Sequence, residues 1–184
     1  MPGILYGTRR RRLAAVLLGL WIASCGRAQV GQTGEPSAPR ADSPVRRVQV
    51  FLIAPADQGR SGRKVGCGDS VLPVDVPLPQ PEAALTGALH ALLGLKGRPY
   101  HPPSGLYNAL YSSTLELVRV DRQGAEARVY LKGYLELGDS CENSRILSEL
   151  QETALQFSDV SHVQLYLEDQ PLLPLLSARG AGKG

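Results

Sequence analysis

Along residues 47–53 polar and apolar positions alternate through Arg47, Val48, Gln49 and Val50, then give way to Phe51, Leu52 and Ile53 in succession. Alternation is the period of a half-buried strand, and the apolar finish predicts that this strand enters a sheet covered on both faces. A polar, glycine-containing loop follows at 54–64. Segment 70–76 is β-branched with Pro73 inside it, which predicts a sheet edge or bulge because proline has no N–H for a ladder. From 81 to 95 the period changes to that of a helix. Ala84, Leu85, Ala88, Leu89, Leu92 and Leu93 share one face, with Pro81 near the start and Gly97 past the end.

Segments 114–121 and 125–132, separated by Arg122, Gln123 and Gly124, predict a β-hairpin. A second helix is predicted over 142–157, burying Ile146, Leu147, Leu150, Ala154 and Phe157, with Asp139 or Ser140 as its amino-terminal cap. Residues 163–167 alternate as a final strand, 168–172 form a turn, and 176–184 are expected to be a disordered tail. Between the first helix and the hairpin lies a long tyrosine-rich stretch, 97–113, in which Leu106, Tyr107, Leu110 and Tyr111 predict a short helical turn packed back onto the domain. The order ββαββαβ predicts an α+β (mixed α/β) fold, with a mainly antiparallel or mixed sheet and two helices on one face. No internal repeat with a period of about 20 to 50 residues is visible.

The amino-terminal part follows another plan. Arg9 to Arg12 precede an apolar run, 13–24, that ends at Cys25. That run falls short of the roughly 20 apolar residues that span a bilayer and has the proportions of a signal-peptide core. Ile22, Ala23, Ser24 and Cys25 look like a bacterial lipobox: an aliphatic residue, two small ones, and the cysteine whose thiol takes the lipid, with palmitate-type acyl chains. The competing readings are a buried apolar helix, which four preceding arginines disfavour, and cleavage without lipidation. Thr8, Arg9, Arg10 and Leu13 also touch a twin-arginine pattern, so the export route stays open. Residues 1–24 are therefore expected to be a signal peptide. Residues 25–46, with Gly31, Gly34, Pro36, Pro39 and Pro44, are expected to be the lipidated cysteine and a flexible tether. The folded domain is expected over 47–175.

This layout changes the meaning of the net charge. The whole chain carries +3, but four of its 20 basic residues precede Cys25, which leaves 16 Lys+Arg against 17 Asp+Glu. The compositional case for binding nucleic acid disappears. It also changes the cysteine count, because assigning Cys25 to the lipid leaves Cys67 and Cys141. In an exported, oxidising compartment a disulfide is the default for such a pair, and closing a 74-residue loop is worth about 4 kcal/mol on the chain-entropy model. The functional alternative is a thiol nucleophile or redox sensor, which the absence of a CxxC motif and of a neighbouring histidine disfavours.

An ordered set of short motifs runs through the predicted domain: Val48 to Leu52, Gly66-Cys67-Gly68-Asp69-Ser70, Ser104 to Leu110, Leu131-Lys132-Gly133, Cys141-Glu142-Asn143-Ser144-Arg145, and Glu152 to Phe157. The set resembles the GerMN (sporulation and spore germination) domain family over about 47–175. It is most similar to the cysteine-containing bacterial members, whose Asp-Asn-Pro-Arg is here Glu142-Asn143-Ser144-Arg145, keeping the arginine and losing the proline. The resemblance implies a non-catalytic interaction module of lipoproteins and cell-envelope proteins, some of them linked to spore formation and wall remodelling.

Candidate chemistry is sparse. No G-x-S-x-G elbow or phosphate-cradling loop is present, and His90, His101 and His162 are not spaced as metal ligands, so no metal or cofactor is expected. Glu149 and Glu152, three apart on the second helix, are expected on a solvated polar face. The stretch least like scaffolding is 100–111, where Tyr107 and Asn108, with Arg145, are candidate ligand-binding residues for a sugar or peptide. The competing reading packs Tyr107 and Tyr111 onto the first helix. The sequence thus predicts an exported protein, lipid-anchored to a bacterial membrane, whose partner is an unidentified envelope protein or peptidoglycan. The second reading is a peptidoglycan-binding or wall-processing accessory or hydrolase.

Overall fold

A computed structural model describes residues 46–78 and 82–180. The signal segment, Cys25, the tether through residue 45, Pro81 and the last four residues lie outside them. In chain order the elements are β1 (Arg47–Ala54), β2 (Arg63–Val65), a 3-10 turn (Gly66–Gly68), β3 (Asp69–Pro77) and α1 (Ala84–Leu93). Then come β4 (Tyr100–His101), β5 (Leu106–Tyr107), β6 (Thr114–Gln123), β7 (Glu126–Tyr134), α2 (Ser140–Leu155), β8 (His162–Leu167), β9 (Gln170–Pro171) and α3 (Leu172–Gly180).

The long elements follow the expected order ββαββαβ, and the fold is α+β. Its strands form two sheets: β2-β3-β1-β5-β4 and β6-β7-β8-β9. The additional strands have two or three residues each, too few to leave a period in the sequence. Two expectations need correcting. Residues 106 and 107 form β5 rather than a helical turn, because Tyr107 pairs with Ile53 and Leu106 with His101. Residues 176–180, expected in a disordered tail, continue α3. Leu172 and Leu176 share one side of that helix and are buried, while Pro174 sits in its first turn, where a missing N–H is tolerated.

Strand β1 pairs with β3 along its whole length, from Arg47 opposite Pro77 to Ala54 opposite Ser70. Its even positions Val48, Val50 and Leu52 face the core; Ile53 is buried as well, so the end of the strand is covered on both faces as predicted. Pro73 lies opposite Phe51. The Phe51 N–H turns away from β3, toward the Thr153 hydroxyl at 3.0 Å. This makes Phe51 and Pro73 a non-hydrogen-bonded pair, and the missing proline N–H faces the side of β3 beyond the reach of β2.

The other side of β1 has a strand partner only at Ile53. Helix α2 takes over the rest: Thr153 accepts from Phe51, and the Gln156 side chain donates to the Gln49 carbonyl at 2.7 Å. Strands β7 and β8 run parallel, so the chain must cross over between them, and α2 is that crossover. Its apolar face of Ile146, Leu150 and Ala154 joins one core with Leu89 and Leu92 of α1, Val50 of the first sheet, and Val129 and Leu165 of the second. One glycine of the resembling motifs is explained directly. Gly133, at φ +103°, has no room for a side chain because a Cβ there would meet the Thr114 carbonyl on β6.

Replacing Thr153 by valine keeps the volume and removes the acceptor for the Phe51 N–H. Urea denaturation should show a loss of about 1–2 kcal/mol, with Thr153→Ser recovering most of it. A valine variant as stable as the parent would remove α2 from its role as the cap of β1.

Candidate functional site

Three segments meet at the amino-terminal end of α2. Asp139 caps that helix, its Oδ1 accepting from the Glu142 N–H at 2.9 Å. The Cys67–Cys141 disulfide, with the two Cα atoms 5.6 Å apart, fastens the 3-10 turn to the first turn of α2. The bridge occupies both cysteines, as expected for such a pair. Arg145 stands one turn beyond Cys141 and Asp69 two residues beyond Cys67. The bridge therefore carries the two charges together: Arg145 Nε donates to Asp69 Oδ2 at 2.6 Å. The other oxygen of Asp69, a residue only 1% exposed, accepts from the Ala56 N–H at 2.7 Å.

The chain of contacts continues to the surface. Arg145 Nη1 donates to Glu142 Oε2 at 3.1 Å, and the Tyr107 hydroxyl donates to Glu142 Oε1 at 2.7 Å. The Asp69 carboxylate, more than Glu142, pushes the Arg145 guanidinium further up from its ordinary value. Burial, and then the hydrogen bond to Glu142, raise the Tyr107 phenol well above its ordinary value, so it stays a donor. Around this chain Tyr100, Tyr107 and Tyr111 form a row. Ring centroids are 5.8 Å apart in the first pair, with planes at 59°, and 6.0 Å apart in the second, with planes at 63°. Tyr100 and Tyr111 are exposed. Beside Tyr107 and Tyr111 opens a cleft of about 160 Å³, with Glu136, Gly138 and Glu142 on its other walls.

Of the three candidate ligand residues, the structure brings Tyr107 and Arg145 together and sends Asn108 elsewhere. Asn108 is 1% exposed, and its side chain is committed to backbone: it donates to the Leu95 and Arg98 carbonyls and accepts from the Leu110 N–H. It shapes the tyrosine loop without reaching the surface. The histidines stay apart, His90 on Glu82, His101 on Ser104 and His162 on Ser161. Among the described residues no group of His, Cys, Asp and Glu has the arrangement of a metal site.

Sequence reasoning missed Asp69, Glu142 and Glu149. For Asp69 a signal existed, since pairing Cys67 with Cys141 implies that Asp69 and Arg145 are neighbours. Glu149, expected on a solvated face, is fully buried instead. Its Oε1 accepts from the Ala109 N–H at 2.8 Å, which holds the tyrosine loop to α2, while Oε2 has no partner. Burial, opposed by the bond from Ala109 and aided by the nearby Glu142 charge, drives its carboxyl well above the ordinary value. Glu152, three residues on, does remain near the surface, paired with Arg63.

The fold and site together define a small α+β domain, built on two sheets that share one core, closed by a disulfide at a tyrosine-lined pole. A family model for sporulation and spore germination proteins (Germane) matches residues 51–173, and the chain belongs to that family. Among solved structures it is similar to the first GerMN domain of the sporulation protein GerM from Bacillus subtilis, at 16% identity and TM-score 0.48, covering 68% of this chain and 85% of that one. It is also similar to the tandem GerMN domains of the same protein, at 13% identity and TM-score 0.48, covering 74% of this chain and 43% of that one. A comparison with curated proteins gives no significant match.

The buried Glu149 sets a pH dependence. A carboxyl raised on folding is protonated in the native state where the unfolded chain has already lost its proton, so stability falls as pH rises above about 4 and levels off only at the native value. Glu149→Gln keeps the acceptor for Ala109 and removes the titration. Thermal unfolding should give the variant the higher Tm at pH 7 to 8, with the gap closing near pH 4. Parallel curves for parent and variant would mean that Glu149 is not held protonated.

Proposed function

We propose that this chain is a non-catalytic, lipid-anchored interaction module of the bacterial cell envelope, held by Cys25 and presenting the tyrosine row to a protein partner. The observation that carries this reading is polarity. The chain enters the domain at Arg47, beside the carboxy-terminal end of α2, where Gln156 bonds Gln49. The tyrosine row lies at the opposite end of β1, where Ile53 pairs with Tyr107 six residues on, about 20 Å away. The tether expected from Cys25 would join the domain at the end of β1 opposite the tyrosine row, which suits a row that meets partners in the extracytoplasmic or periplasmic space. The polar groups at the pole are bonded to one another, as suits a preformed recognition surface. Arg145, Glu142 and Asp69 hold each other rather than aim at a reacting atom.

A photo-crosslinking amino acid placed at Tyr100, on the pole, or at Asp75, on the exposed edge of β3, tests this in cells. The expected result is a membrane-associated protein that crosslinks to an envelope protein from position 100 and not from 75, and that leaves the membrane fraction in a Cys25→Ala background. Equal crosslinking from both positions, or retention on purified sacculi that Tyr107→Ala abolishes, would replace the protein-partner reading with a non-specific or glycan-directed one.

A further inference from the structure

The tyrosine row looks at first like a surface on which a sugar ring would stack. Its geometry argues otherwise. Neighbouring rings here stand at 59° and 63° to one another, so they make corners and offer no coplanar pair of faces for one flat ring to stack across. The corner between Tyr107 and Tyr111 is closed by carboxylates. Glu142, bonded through both oxygens to Tyr107 and Arg145, forms one wall of the cleft, and Glu136, exposed and accepting from the Tyr134 hydroxyl through one oxygen only, forms another. Arg145 neutralises only part of the negative charge there, because it is shared between Glu142 and Asp69. Tyrosine rings and carboxylates lining one cleft match an organic cation, which gains from the ring quadrupoles and from the opposite charges together. The protein already uses this chemistry internally, with the Arg145 guanidinium carbon 5.7 Å from the Tyr107 ring centroid while bonded to Glu142.

Size selects among cations. At about 160 Å³ the cleft is well below the roughly 300–1,000 Å³ of pockets that engulf a cofactor or metabolite, and it suits the end of a side chain. We infer that the cleft between Tyr107, Tyr111, Glu136 and Glu142 receives the basic end of a lysine or arginine side chain from a protein partner. This rests on the interaction-module reading and names what its surface recognises. Glu136 and Tyr111 are the residues to alter, because both are exposed and neither belongs to the bonds that hold α2 to the disulfide turn.

The test is an NMR titration of the full chain, with ring-labelled tyrosine, against N-acetyl-lysine methylamide, N-acetyl-norleucine methylamide and N-acetylglucosamine. The lysine probe should give saturable shifts at Tyr107 and Tyr111 that norleucine and the sugar do not. Glu136→Gln should weaken it about threefold, as expected for one exposed charge pair, and Tyr111→Leu should weaken it further. No shift up to about 50 mM, equal shifts with norleucine, or shifts with the sugar alone would each overturn the assignment. If the lysine probe fails while position 100 still crosslinks an envelope protein, the ligand class falls and the interaction reading stands.

Discussion

The structure depends on one substitution of a helix for a strand. Beyond Ile53 the free side of β1 has no neighbour in its sheet, and α2 lies along it, offering the Thr153 hydroxyl and the Gln156 amide where a strand would offer backbone. An edge left bare there would expose unpaired N–H and C=O groups in the middle of the domain, a cost comparable to the net value of each lost bond. The same helix is the crossover that allows β7 and β8 to run parallel. Two of its buried polar side chains bind other segments: Asn143 takes the Gly138 N–H and reaches the Leu176 carbonyl of α3, and Glu149 takes the Ala109 N–H. Sheets, loop and last helix are thus referred to a single element.

That arrangement explains why the surface pole lies where it does. The first two turns of α2 carry Cys141 and Glu142, with Arg145 one turn beyond Cys141, and the disulfide brings the 3-10 turn with Asp69 beside Arg145. The tyrosine loop arrives from the other direction, fixed below by Glu149 and Asn108 and above by the bond from Tyr107 to Glu142. A loop so held would lose little further entropy on binding, which is what the proposed interaction role requires of it. A buried carboxyl is an expensive way to hold a loop. Its position behind Ala109 shows what the expense secures, a fixed spacing between the tyrosine row and α2.

Much of the fold was legible in the sequence. The switch between twofold and helical periods located β1, β3, α1, the β6–β7 hairpin, α2 and β8, and Asp139 was recognisable as a cap because its side chain precedes an apolar helical face. The division into two sheets was not legible, since it turns on strands as short as Gln170–Pro171 and on the single pairing of Ile53 with Tyr107. The last helix was hidden by Pro174 and by leucines on all sides. Within the site, Tyr107 and Arg145 stood out by residue type, and Asp69 was implied by the cysteine pairing. Glu149 was not readable: a glutamate between serine and leucine on an amphipathic helix looks solvated, and only the position of the Ala109 N–H gives it a reason to be buried.

Native-state hydrogen exchange tests the central role of α2 most directly. If the helix caps β1 and anchors the tyrosine loop as a single cooperative unit, the Phe51 and Ala109 amides will exchange only through global unfolding, at the same free energy as the amides in the middle of α2. Exchange of Phe51 or Ala109 through a local opening, well below the free energy of the α2 core, would contradict it.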